Sequence, residues 1–254
     1  MNLESYERTF STNDKIDHTA VKKHIEKLRE LDQYLPKLQS FILVQNTVSQ
    51  RYEYICENYE PLLGYSKEEA LKNGMSFHFS KIHAKDVPNW LKILDDLMIF
   101  TMNNVSPLDR GKCVYYWNYR LKNAKGRYVN IQVHQTPLYF DKKSKPILGF
   151  SQNTIIGNTK RQPMIGVCKQ LNSSNEYETL FYKNYSESLL IDNLSNRELD
   201  IVRLLAKGNT TKEISSKLNI SIHTTATHRK NILSKLQFNS SMEIVNYCNE
   251  NHLF

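Results

Sequence analysis

LSNRELDIVRLLAKGNTTKEISSKLNISIHTTATHRKNILSKL, running from Leu194 to Leu236, holds three helix starts in close succession. Ser195 followed three residues later by Glu198 has the spacing of a capping box, in which two side chains satisfy amides that the first helical turn leaves without partners. Leu199, Val202 and Leu205 then recur at helical spacing, and Gly208 ends the run. Thr210 with Glu213 repeats the box, and Ile214 with Leu218 supplies the apolar step of a short second helix. Asn219-Ile220-Ser221 is a tight turn, Ser221 a candidate N-cap, and a third helix carries Thr225, Ile232 and Leu236 on its apolar side. A short helix, a turn and a longer helix make a helix-turn-helix, whose second helix has the width of the DNA major groove. Advancing about 100° per residue along it sets His223, Ala226, Thr227, Lys230, Asn231 and Ser234 opposite the core. From Lys207 to Lys235 six Lys and Arg stand against one acid, Glu213, a net +5. A solvated basic surface would carry the same charge, so pattern and charge alone do not separate that reading from DNA contact.

The residues themselves add more. L-S-x-R-E at Leu194 to Glu198, A-x-G at Ala206 to Gly208, K-E-I at Lys212 to Ile214 and L-x-I-S-x-x-T…H…I…K-L from Leu218 to Leu236 resemble the LuxR/GerE-type DNA-binding domain, over residues 191–254. The resemblance implies a transcriptional regulator that binds double-stranded DNA, acts as a homodimer and has RNA polymerase as a further partner. Together with the helical projection it assigns Thr227 and Lys230 to base edges, and Thr211, Lys212, Arg229 and Asn231 to phosphates, which fix register without reading sequence. His228 matches a common family position. The helix from Ser241 to Asn249, with Ile244, Val245 and Cys248, resembles the segment that pairs two such domains on a two-fold site. Three positions depart from the pattern: Thr225 where Val is usual, Ala226 on the DNA-facing side where a basic residue is frequent, and Gln237 where Gly is frequent. Ala226 in particular means that sequence preference cannot be borrowed from relatives.

Outward from this stretch, 254 residues suggest about two domains, and a net charge of +8 suits an anionic partner. Cys56, Cys113, Cys168 and Cys248 are scattered without metal-binding spacing, which argues for reduced thiols and against a zinc site or a disulfide scaffold. No apolar run approaches the length of a membrane span and MNLESYERTF is not an export signal, so a cytoplasmic protein without membrane association is expected.

Residues 15–39 predict a first helix through Val21, Ile25, Leu28, Leu31, Leu35 and Leu38, within an N-terminal helical segment of residues 1–39. That stripe either folds onto its own domain or pairs with a second protomer. FILVQN and RYEYIC predict a hairpin. Ser66 with Glu69 predicts a capped helix, and Trp90, Ile93, Leu94 and Leu97 a second one after Pro88. Val114–Leu121, Tyr128–Leu138 and Ile147–Ile155 predict three strands joined by turns at Asn123–Gly126 and Asp141–Lys145. Two strands, helices, then three strands give an α+β domain: a five-stranded antiparallel sheet with helices gathered on one face, followed by the all-α helix-turn-helix domain.

Leu63-Gly64-Tyr65-Ser66 with Glu68 and Glu69, Ile82-His83-x-x-Asp86, and Tyr119-Arg120-Leu121-Lys122 followed by Gly126 and the strand to Val133 resemble a PAS domain over residues 40–156. The resemblance implies a sensory or dimerising module and leaves its small-molecule ligand unspecified. Flavin-based light sensing is not expected, since Cys56 and Cys113 do not stand in an Asn-Cys-Arg signature; His78, His83 and His134 are the residues a haem could use, and no cofactor is expected. Tyr115, Tyr116, Trp117 and Tyr119 alternate along one strand, so some face the core, where they could line a pocket. Gly157–Asn175 reads as a connector with Lys160-Arg161 as local charge, and Glu176–Ile191 as a short helix, so residues 157–190 form a linker.

No nucleophile elbow, zinc-binding helix, phosphate loop or His/Cys cluster is present, and Asp95-Asp96 sits on the solvated side of a helix. The expectation is a non-enzymatic transcription regulator with PAS input and helix-turn-helix output. A scaffold whose helical tail grips a protein partner is the alternative.

Overall fold

The computed structural model describes residues 4–12, 18–157, 162–186, 190, 193–251 and 253–254. Residues 15–17, Lys160-Arg161, residues 187–189 and residues 191–192, on which some of the expectations above fall, lie outside them. The chain divides into two compact units, Met1–Thr159 with Ile165–Lys183 and Lys160–Met164 with Asn184–Phe254.

The first unit is built on a sheet of seven strands in the order β2-β1-β5-β4-β3-β6-β7. Its elements are α1 (Glu4–Phe10), α2 (His18–Asp32), β1 (Ser40–Asn46), β2 (Arg51–Ile55), α3 (Tyr59–Leu63), α4 (Lys67–Asn73), α5 (Met75–Phe79), α6 (Val87–Asn104), β3 (Cys113–Lys122), β4 (Tyr128–Phe140), β5 (Pro146–Gly157), β6 (Ile165–Leu171) and β7 (Tyr177–Asn184). The five expected strands are present and the α+β class holds. Two more follow in the stretch read as connector and short helix. Gly166, Val167 and Cys168 pair β6 onto Trp117, Tyr116 and Tyr115 of β3, and Asn172–Asn175 turns the chain into β7, with Asn175 at a positive φ of 60°. The C-terminal unit takes up the chain again at Asn184, ahead of the expected boundary at 191.

Cross-strand rows decide what faces inward. Leu43, Ser151, Gln135 and Tyr115 lie opposite one another across β1, β5, β4 and β3, and the next inward row is Phe41, Asn153, Val133 and Trp117. α6 lies over this face with Trp90, Ile93, Leu94 and Leu97 buried, each contributing about 2 kcal/mol. On β2, Tyr52 pairs with Gln45 and Tyr54 with Val44, so Glu53 is an extra residue on that strand. This bulge turns Tyr52 toward the inner face and Tyr54 toward the outer one. Tyr54 donates to Asp32 Oδ2 at 2.5 Å, and the Glu57 amide donates to the same oxygen at 2.8 Å.

The first helix is shorter than expected, since α2 ends at Asp32, before Pro36. Val21 and Ile25 are buried and Leu31, Tyr34 and Leu38 exposed. Through Tyr54 and a ring contact of His24 with Tyr139, α2 is seated on its own domain, on the face opposite α6, so the helices are not all on one face. Ser66 caps α4 by accepting from the Glu69 amide at 3.2 Å, but its hydroxyl donates to Glu68 and no reciprocal bond from Glu69 completes the box.

The second unit holds α7 (Asn196–Ala206), α8 (Thr211–Lys217), α9 (Ile222–Leu236) and α10 (Ser241–Glu250). Leu199, Val202, Leu205, Ile214, Ile232, Leu236, Ile244 and Tyr247 share one core. All four cysteines are free and buried.

Candidate nucleic-acid interface

Both capping boxes of the helix-turn-helix are complete. At the start of α7 the Glu198 carboxylate accepts from the Ser195 amide at 2.8 Å, and the Ser195 hydroxyl takes the Glu198 amide. At the start of α8, Glu213 accepts from the Thr210 amide at 2.7 Å with the same reciprocity. Ser221 caps α9 through the Thr224 amide at 2.9 Å. Gly208, at φ 79°, releases the chain from α7.

These caps aim α9. Its buried side is Thr225, Ile232 and Leu236, as the spacing predicts. The Thr225 hydroxyl, fully buried, donates to the Ser221 carbonyl at 3.1 Å, so Thr can stand where Val is usual. His223, Ala226, Thr227, Lys230, Asn231 and Ser234 are all exposed along the opposite side. Thr227 donates its hydroxyl to the His223 carbonyl at 3.0 Å, which leaves its oxygen as an acceptor and its methyl outward. Lys212 is exposed at the start of α8.

Arg229, Lys235 and Arg197 each tie one helix of the domain to another. Arg229, half-buried, donates to Ser241 Oγ at 2.7 Å from Nη2 and to Thr211 Oγ1 from Nη1, tying α9 to the starts of α8 and α10. Lys235 donates to Glu198 Oε2 at 2.7 Å, joining α9 to α7. Arg197 donates to the Leu218 carbonyl at the end of α8. Burial pushes the Glu198 carboxyl up, but the bonds from Lys235 and Ser195 outweigh it and hold the group below its usual value. Of the seven residues named from the sequence, Lys212, Ala226, Thr227, Lys230 and Asn231 are exposed on the surface, and Thr211 and Arg229 are bonded to each other. The bracing roles of Arg229 and Lys235 had no sequence signal, because their partners lie 12 and 37 residues away.

Gln237 ends α9 in the left-handed region, at φ 55° and ψ 39°. That is where Gly is frequent in the resembled family, and the backbone shows why. On α10, Ile244 and Cys248 are fully buried in the domain's own core and Val245 is half-buried against it, which leaves Met242, Asn246 and Asn249 along its outer side. Among the described residues no three His, Cys, Asp or Glu side chains gather where they could hold a metal ion, and no helix is long and apolar enough to cross a membrane.

Residues 192–248 match the family described as bacterial regulatory proteins, luxR family, and residues 52–151 match the PAS fold. The C-terminal segment is therefore a luxR-family domain and the sheet a PAS fold. Among similar curated proteins are the transcriptional regulatory protein LiaR of Bacillus subtilis, 45% identical over 62 residues, and the transcription regulator BvgA of Bordetella pertussis, 38% identical over 68. These matches cover 24% and 27% of this chain and 29% and 32% of those proteins, so the chain spans about a third of their length. A solved structure of VqmA from Vibrio cholerae, 16% identical, covers 91% of this chain and 87% of its own at a TM-score of 0.33.

Proposed function

We propose that the chain is a sequence-specific DNA-binding regulator of transcription, with α9 in the major groove and the PAS fold as its input module. The observation that carries this is the division of α9. One side is locked into the core by Thr225, Ile232 and Leu236, and the other offers small and basic side chains to solvent. Small residues near the start of such a helix let its backbone approach base edges closely, and a lysine one turn on supplies a donor for guanine. Lys230 and Thr227 read bases in this arrangement, Thr227 as an acceptor or through its methyl, and Ala226 offers a methyl to thymine. Lys212 and Asn231 meet phosphates. Arg229 and Thr211 hold the start of α8 at a fixed height beside α9, so they position the phosphate contacts of their neighbours.

The protein acts in the cytoplasm as a homodimer on a two-fold site. Met242, Asn246 and Asn249 of α10 form the outward side available for pairing, and RNA polymerase is the downstream partner. Selection of duplexes from a random pool by the full chain, followed by gel shifts of selected and scrambled duplexes at several salt concentrations, tests the reading. The expected result is a two-fold symmetric site bound about a thousandfold or more tighter than its scramble. Equal binding to both, or none that saturates, would reduce the tail to a protein-binding module.

A further inference from the structure

The exposed surface of α9 changes chemistry along its length: small and apolar at Ile222, Ala226 and Thr227, polar and basic from Lys230 onward. Ile222 is the one exposed large apolar side chain of this helix, at 55%. A single exposed isoleucine is ordinary on a protein surface, so its place decides what it means. It stands one turn before Ala226, and side chains four apart lie one above the other on a helix. Helical side chains lean toward the N-terminus, so Ile222 reaches past the first turn of α9, the end whose residues meet base edges in a helix-turn-helix.

The hydroxyls around this step are already committed. Thr225 donates to the Ser221 carbonyl at 3.1 Å, Thr227 to the His223 carbonyl at 3.0 Å, and Ser221 and Thr224 share a bond of 2.8 Å. Ile222, Ala226 and Thr227 therefore offer solvent no hydrogen-bond donor. They present methyl groups and, on Thr227, an oxygen that can only accept. Past His223, the next donor on this side is the Lys230 ammonium, one turn beyond Ala226. Phosphates have nothing to exchange with an apolar step. In the major groove one apolar group is on offer, the 5-methyl of thymine. Lys212 and Lys230, both exposed, supply the attraction to a polyanion that the apolar residues lack, so the partner that suits the basic side chains is also the one that carries the methyls.

We propose that Ile222 is a specificity-determining residue of α9, and that Ile222, Ala226 and Thr227 read thymine methyl groups in each half-site, beside the base pair taken by Lys230. This rests on reading the C-terminal unit as a DNA-binding domain with α9 in the major groove. It goes further by adding a residue to the base-reading set and by naming the chemical group that the first two turns recognise.

In the duplex that the full chain selects from a random pool, each thymine of a half-site is replaced singly by deoxyuridine, which removes the methyl and keeps every hydrogen-bonding atom. Where the apolar step meets a thymine, binding in gel shifts should weaken about fourfold, the value of one carbon group withdrawn from water. Ile222→Ala changes an exposed position and should leave the melting curve as it is. It should weaken the thymine duplex about fourfold, and at one sensitive thymine the further loss on deoxyuridine substitution should vanish. There, 5-methylcytosine paired with guanine should bind more tightly than plain cytosine paired with guanine. Lys230→Ala should keep the deoxyuridine effect. Tolerance of deoxyuridine at every position overturns the proposal. So does an Ile222→Ala variant that loses the same factor on thymine and deoxyuridine duplexes, the mark of a residue that only packs or touches the backbone. A selected duplex indifferent to its methyls leaves the DNA reading standing and removes this one; failure to select any duplex removes both.

Discussion

The two domains dispose of their polar side chains in opposite directions. In the helix-turn-helix unit Lys212, Thr227, Lys230 and Asn231 point into water, and the core behind them is mainly aliphatic, with Thr225, Tyr247 and Cys248 set into it. In the sheet unit Gln45, Asn153, Ser151 and His78 are buried and turned toward a cavity of about 50 Å³ between the sheet and α6, and Arg110 is buried as well. An outward donor is already satisfied by water and can exchange it for a phosphate or a base at little cost. An inward donor must be paired by the fold or by something the fold admits. The first arrangement suits a surface that engages and releases, the second a site that discriminates chemically.

The sharpest attempt to break this contrast is Arg110→Met. The guanidinium donates to the carbonyls of Met102, Val105, Lys143 and Ser144 at 2.9–3.2 Å, and removing it orphans buried acceptors at the end of α6 and in the β4–β5 turn. A loss of about 4 kcal/mol in the denaturant stability of the sheet domain is expected; a cost no larger than that of an exposed lysine would erase the distinction.

Acid should have the next largest effect. Burial lowers His78 from 6.5 to about 4. The unfolded chain therefore takes up the proton first as pH falls, and the stabilisation, complete above pH 6.5, is lost progressively as pH drops through about 4. That interval is worth about 3 kcal/mol. Melting temperatures at steps from pH 7.5 to 4 measure it, and His78→Asn should flatten the curve.

On the outward side, Lys230→Ala should weaken the selected duplex by about 2 kcal/mol and relax its preference at one base pair, in gel shifts at fixed salt. Lys212→Ala should weaken selected and scrambled duplexes alike, by about 1 kcal/mol, with a salt slope shallower by about one unit. If the two variants behave identically, α9 does not read bases. The smallest effect should be a gain: Gln237→Gly relieves a left-handed residue and should stabilise the helical domain by about 0.5–1 kcal/mol in thermal melts.

Much of this was legible in the residues, for local reasons. Ser195 with Glu198 and Thr210 with Glu213 announce helix starts because each box closes within four residues. The aromatic alternation of Tyr115 to Tyr119 announced an inward-facing row. Strands β6 and β7 were not legible. Their exposed positions, including Tyr177 and Tyr182, blur the inside–outside alternation, and Asn172 to Asn175 makes a tight turn that looks like a linker. Arg229 shows the limit at the site itself. Its place on the helix is compatible with a phosphate, and only the arrival of Ser241 and Thr211 in space reveals the brace.

The bulge at Glu53 has a meaning at the level of the gene. In-frame loss of that one codon would make Tyr52 and Tyr54 neighbours, which in a regular strand still alternate in and out, so the ring lining the cavity and the ring bonded to α2 would keep their partners and their faces. Loss of one codon from Asn172 to Asn175 would only reshape a turn. Each hairpin thus holds a residue it can lose without changing which face its side chains take, and a scan of single-codon deletions would draw that map directly.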